Sequence, residues 1–90
     1  MYGLVNNRAT PDFWRCYHKL PKKTQRLADK CFELFKTDQS HPSLQFKKVG
    51  KFRSVRVSLN CRALALLHKK DLIWFWIGSH DEYEKLIEEA

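Results

Sequence analysis

The stretch SVRVSLNCRALALLHKKDLIWFWIGS, residues 54–79, decides the fold. Its first six residues alternate, with Val55, Val57 and Leu59 on one side of an extended chain and Ser54, Arg56 and Ser58 on the other. Successive side chains of a strand point to opposite faces, so this is a half-buried strand with the two valines and Leu59 toward a core and Arg56 away from it. Asn60-Cys61 reads as a tight connection. Residues 62–68 are apolar on both faces, which marks a central strand, and residues 72–77 are apolar on both faces as well. Lys69-Lys70-Asp71 is the turn between them, and Gly78 ends the last run. Strict alternation puts Trp74 and Trp76 on one face and Ile73, Phe75 and Ile77 on the other. Three strands joined by such short turns form an antiparallel meander, which must bury one face against another layer.

The chain upstream supplies that layer. Leu44, Phe46 and Lys48 alternate with Gln45 and Lys47 up to a turn at Gly50. Before them, Thr10-Pro11 is a helix start, because Thr offers a capping oxygen and Pro suits the first helical position. This helix runs to about His18, and Leu20-Pro21 opens a second one reaching about Lys36. The second helix carries Leu27, Cys31, Leu34 and Phe35 at the spacing of one buried face, with Ala28 and Phe32 beside them and Gln25 among the outward polar residues. Downstream, Ser79-x-x-Glu82 is a capping box for a last helix with Tyr83, Leu86 and Ile87 as its apolar side. Residues 2–5 read as a short edge strand. The expectation is an α+β fold in the order (β)ααβββα, in which a two-helix hairpin packs on a small antiparallel sheet and a short helix closes the chain. Residues 1–90 form one domain.

Charge is the most informative bulk property. Lys and Arg number 17 against 10 acids, a net charge of +7 for 90 residues, which points to a polyanionic partner. Between Gln39 and Lys70 there is no acid, only Lys47, Lys48, Lys51, Arg53, Arg56, Arg62, Lys69 and Lys70, whereas residues 81–90 are acidic. The three cysteines, Cys16, Cys31 and Cys61, match neither a disulfide framework nor a zinc ribbon and read as buried reduced thiols. No apolar run approaches the roughly 20 residues of a membrane span. No signal peptide is visible, so a cytoplasmic location without membrane contact is expected. No histidine has metal-ligand spacing, and no cofactor motif is present.

Arg56 on one strand and Arg62 at the start of the next bring two guanidinium groups to one surface if they share a face. Arg suits phosphate because its planar fork donates two parallel hydrogen bonds. Lys47, Lys51 and Arg53 would border that surface, with Lys48 in the same basic stretch. His80 and Tyr83 sit just past the last strand: His80 is able to transfer protons near neutral pH, with Asp81 and Glu82 beside it, and Tyr83 either orients a substrate or docks the helix.

Leu20-Pro21, His41-Pro42-Ser43-Leu44, Phe46-Lys47-Lys48, residues 54–59, Arg62-Ala63-Leu64 and residues 74–83 together resemble the RelE/ParE superfamily, the toxins of bacterial type II toxin–antitoxin modules. The resemblance implies two helices packed on an antiparallel sheet and a cognate antitoxin as partner. It implies one of two activities: metal-independent cleavage of mRNA on the ribosome, or poisoning of DNA gyrase. In the ribonuclease branch Arg56 and Arg62 match phosphate-holding positions, His80 matches a functional position after the last strand's Gly, and Tyr83 falls earlier than the usual Tyr. The cleavage would be attack of a ribose 2′-hydroxyl on the adjoining phosphate, with His80 moving protons and the arginines stabilising charge. A double-stranded RNA-binding module shares the αβββα order, but its last helix is basic at the start, where Ser79-His80-Asp81-Glu82 is acidic.

Overall fold

The computed structural model describes residues 6–88, so the edge strand expected over residues 2–5 lies outside the described residues. The first strand described is β1 (Asn6–Ala9). Thr10 then caps α1 (Pro11–Lys19), its hydroxyl accepting the Phe13 N–H at 3.1 Å. Leu20-Pro21 separates α1 from α2 (Lys22–Thr37). Tyr17 Oη donates to Asp29 Oδ1 at 2.7 Å and ties the two helices together.

The second helix buries Gln25, Ala28, Cys31 and Phe35, a stripe turned slightly from the one the apolar residues suggest. Leu27 is left exposed. Gln25, expected outside, is inside because its Nε2 donates to the Leu20 carbonyl at 3.0 Å. That bond satisfies an end carbonyl of the hairpin, so the amide is buried with a partner.

A 3₁₀ turn, Pro42–Leu44, takes Leu44 out of the strand expected there and buries it. The remaining chain is β2 (Lys47–Val49), β3 (Phe52–Ser58), β4 (Cys61–His68), β5 (Asp71–Ser79) and α3 (His80–Glu88). Gly50 turns β2 into β3 at φ 58°, a value that favours glycine. The α+β order holds, with the short β2 as a fourth strand of the meander. The sheet order is β1-β5-β4-β3-β2; β1 is parallel to β5 and the other pairs are antiparallel. The strand apolar on both faces, β4, is the central one. No helix among the described residues is long and apolar enough to cross a membrane.

The helical hairpin covers one face of the sheet. Phe35 is fully buried there, edge-on to Phe46 and Trp74 at 4.9 and 5.5 Å. Each such large side chain contributes about 1.5–3 kcal/mol by leaving water. Val55, Ala63 and Ile77 are in register across β3, β4 and β5 in the same core.

Two bulges redirect side chains. In β3, Arg56 pairs with Arg62 and Ser58 with Cys61, so Val57 is the extra residue and the hairpin closes on Leu59-Asn60. Leu59, expected in the core, is 71% exposed in that turn. In β5, Trp74 pairs with Ala65 but Trp76 pairs with Leu64, so Phe75 is the extra residue. Trp74 therefore belongs to the hairpin side and Trp76 to the opposite face, against the alternation read from sequence.

Candidate functional site

Arg56 and Arg62 are direct register partners, and Gly78 is in register with Arg62. Their row alternates with the buried row Val55–Ala63–Ile77, so both arginines lie on the sheet face away from the helical hairpin. The shared face read from the sequence is present. Arg62 also has a task inside the fold. Its Nη1 donates to the carbonyls of Ser58, Leu59 and Cys61 at 2.5, 3.3 and 3.1 Å, holding the β3–β4 turn. Burial, and then the neighbouring Arg56 charge, press its pKa below the ordinary guanidinium value, while Tyr83, Cys61 and Glu84 act the other way. A guanidinium titrates so far above neutrality that Arg62 stays charged.

The last helix crosses this end of the face. It packs against β4 and β5, and Tyr83 is buried. Tyr83 thus docks the helix, beside Arg62. Ser79 caps the helix as its sequence suggests, accepting the Glu82 N–H at 3.2 Å. His80 is the first residue of α3, and its backbone N–H donates to the Asn60 carbonyl at 2.9 Å. Its imidazole is 39% exposed, with Nε2 3.2 Å from Glu84 Oε1 and the ring centroid 5.8 Å from that of Tyr83. The carboxylate that meets His80 is therefore Glu84, one helical turn on, and not the adjacent Asp81 or Glu82.

The four lysines and arginines expected around this face are divided. Lys47 pairs with Ser54, which has the parity of Arg56, so Lys47 is on the arginine face. Lys48 pairs with Arg53 on the other face. Lys51 sits in the β2–β3 turn, roughly 17 Å of extended chain from Arg56, with its Nζ 5.5 Å from the Phe52 ring centroid.

Trp76, Phe75, Phe52 and Glu84 were not singled out as site residues by the sequence. The Trp76 indole lies across Gly78: a Cβ on residue 78 would be 2.6 Å from Trp76 Cζ2. Glycine is needed here for close approach. The signal in the sequence is only an aromatic two residues before a strand-end glycine, and the bulge that gives it meaning is not visible.

The thiols stand apart from this chemistry. Burial pushes Cys31 up to about 12 and Cys61 up to about 11, so neither is a thiolate near neutrality. A separate cleft of about 490 Å³ lies on the hairpin side, lined by Phe13, Trp14, Tyr17, Phe32 and Trp74.

No family model matches the chain, and no curated protein matches it by sequence. Solved structures do match. The RelB–RelE antitoxin–toxin complex of Methanococcus jannaschii aligns with TM-score 0.69 at 12% identity, over 88% of this chain and 96% of that one. YafQ of Escherichia coli strain BL21(DE3) gives 0.66 at 11% identity, over 88% and 97%. The RelBE2 toxin–antitoxin complex of Mycobacterium tuberculosis gives 0.63 at 15% identity, over 84% and 98%. The chain has the RelE-like fold, the α+β architecture of the RelE and YafQ toxins.

Proposed function

We propose that this chain is the toxin of a type II toxin–antitoxin module and acts in the cytoplasm as a ribosome-dependent mRNA endoribonuclease. One observation carries the reading: Arg56 and Arg62 oppose each other in register on a sheet face. Like charges directly opposite on a sheet are destabilising, and an anion between them relieves the repulsion. A phosphodiester is the anion that also explains a net charge of +7.

In this mechanism the ribose 2′-oxygen bonds to the adjoining phosphorus and the bond to the 5′-oxygen breaks. The hydroxyl proton leaves to a base, and a proton is delivered to the departing oxygen. His80 is the proton-transfer group, and Arg56 and Arg62 stabilise the charge on the phosphorane. Tyr83 supports the arginine from its buried position. Lys47 extends the cationic face along the RNA, while Lys48, Lys51 and Arg53 add attraction from farther off. The antitoxins bound to RelE and YafQ in the similar complexes support a cognate antitoxin here, with acidic and apolar segments to match the basic, aromatic face.

Induced expression of the chain alone tests the reading. Growth arrest is expected, with translation falling and mRNA cut before any DNA damage response. A damage response with intact mRNA would replace this reading with gyrase poisoning.

A further inference from the structure

The bulge at Phe75 does more than end a regular ladder. Trp74 is in the hairpin core and Ile77 returns to it, so Phe75 and Trp76 are the two residues between. Trp76 faces the arginine side through its pairing with Leu64. Phe75 joins it there, because its ring lies 5.3 Å from that of Phe52, which alternates with Arg53 and shares the parity of Ser54 and Arg56. Two successive aromatic residues thus reach one face, which a regular strand does not allow. Phe52, Phe75 and Trp76 are all half-buried, each keeping some surface open to solvent.

This aromatic shelf is continuous with the arginine pair. The Trp76 indole leans over Gly78, the register partner of Arg62. Two residues of strand separate the Trp76 and Gly78 rows, about 7 Å, within the span of one nucleotide. Cations edge the shelf: Lys47 from β2, Arg56 from β3, and Lys51 with its ammonium against the Phe52 ring. Flat aromatic rings beside a phosphate-sized cationic site are the combination that holds single-stranded nucleic acid, because every base has a π face and every nucleotide a charge.

We infer that Phe52, Phe75 and Trp76 form a stacking shelf for an unpaired RNA base next to the phosphate held by Arg56 and Arg62. The inference rests on the ribonuclease reading of the arginine face. It adds a base subsite to that reading and assigns the β5 bulge the role of building it.

The test uses the full chain and a short single-stranded RNA with 2-aminopurine as a fluorescent base, at one fixed salt concentration. The parent should bind with the fluorescence quench of a stacked base. Phe75→Leu keeps apolar bulk and removes the flat ring, and it should weaken binding about fivefold or more. Phe75→Tyr should restore it. Phe52→Leu provides a second removal at a separate position if Phe75→Leu does not fold. An RNA with an abasic site in place of the reporter base should bind parent and Phe75→Leu alike. Equal affinity of parent and both leucine variants for the intact RNA overturns the shelf while leaving the arginine site standing. Unchanged RNA affinity with weakened antitoxin binding also overturns it and makes this face a protein-docking surface. No binding of the parent to any RNA, with no cleavage on ribosomes, removes the ribonuclease reading itself.

Discussion

Arg62 and His80 divide the carbonyls of one turn. Arg62 Nη1 takes those of Ser58, Leu59 and Cys61, and the backbone N–H of His80 takes that of Asn60. The guanidinium that holds the turn and the imidazole that starts the last helix are therefore positioned through the same four residues.

Arg56 and Arg62 should differ in stability effect although they are register partners. Arg62→Ala removes charge-assisted hydrogen bonds to backbone carbonyls and should cost about 1–3 kcal/mol. Arg56→Ala, which also removes a like-charge contact, should stay within about 0.5 kcal/mol of the parent. Urea denaturation of the two purified variants compares them directly. Equal, small effects would mean that Arg62 does not hold the turn.

An anion between the arginines should stabilise the fold. Sulfate in place of chloride at constant ionic strength should raise the melting temperature of the parent more than that of Arg56→Ala. At ten times its Kd a single bound ion adds about 1.4 kcal/mol. The difference between the proteins is the measure, because sulfate also favours compact states in general. Equal rises would argue against an anion site.

Gly78→Ala should cost about 1–3 kcal/mol by overpacking, since the new methyl meets the Trp76 ring. In a Trp76→Leu background the same change should cost much less. A double-mutant cycle on thermal or urea unfolding reads this coupling, and strict additivity would mean that the two residues do not meet.

His80→Ala should slow single-turnover mRNA cleavage on programmed ribosomes by about 10²-fold or more, the scale for loss of a general acid or base. Ribosome binding should stay close to normal. Stability should change little, because the His80–Glu84 pair is largely solvated. An unchanged cleavage rate would remove His80 from the mechanism.

Cys31 and Cys61 should resist aromatic disulfide reagents at pH 8 in the folded protein, and only the half-buried Cys16 should react promptly. Burial raises both thiols above the ordinary value of 9.0, to about 12 and about 11. Their protonated forms are favoured by folding, so that contribution is complete below about pH 9 and is lost as pH rises toward 11–12. Stability measured from pH 8 upward should fall across that window, and Cys31→Ala combined with Cys61→Ala should flatten the fall.

The arginine face was legible because alternation in β3 and a short connection are enough to bring Arg56 opposite Arg62. The helix limits were legible from Thr10-Pro11, Leu20-Pro21 and Ser79. Both bulges were not. Residues 72–77 are apolar throughout, so no polar residue reveals where the alternation slips at Phe75. At Val57 the cause differs: the polar–apolar alternation of residues 54–59 runs on unbroken through the bulge, so nothing in it marks the extra residue that carries Leu59 out of the core. Gln25 misled for a different reason: its burial depends on the Leu20 carbonyl, a partner supplied by the hairpin's geometry and not by any local pattern.

The parallel pairing of β1 with β5 has a consequence for how the chain matures. Asn6 is in register with Asp71, and Ala9 with Trp74, so the earliest strand described waits for one of the latest. Loop closure over such a separation makes this a late and slow step. During synthesis the two helices can form early, but the sheet they cover is incomplete until β5 has left the ribosome. The arginine row needs Gly78 and the last helix needs β5, so the cationic face assembles only once β5 has emerged and paired. Strand order alone thus keeps the arginine row from existing as a face on a partly made chain.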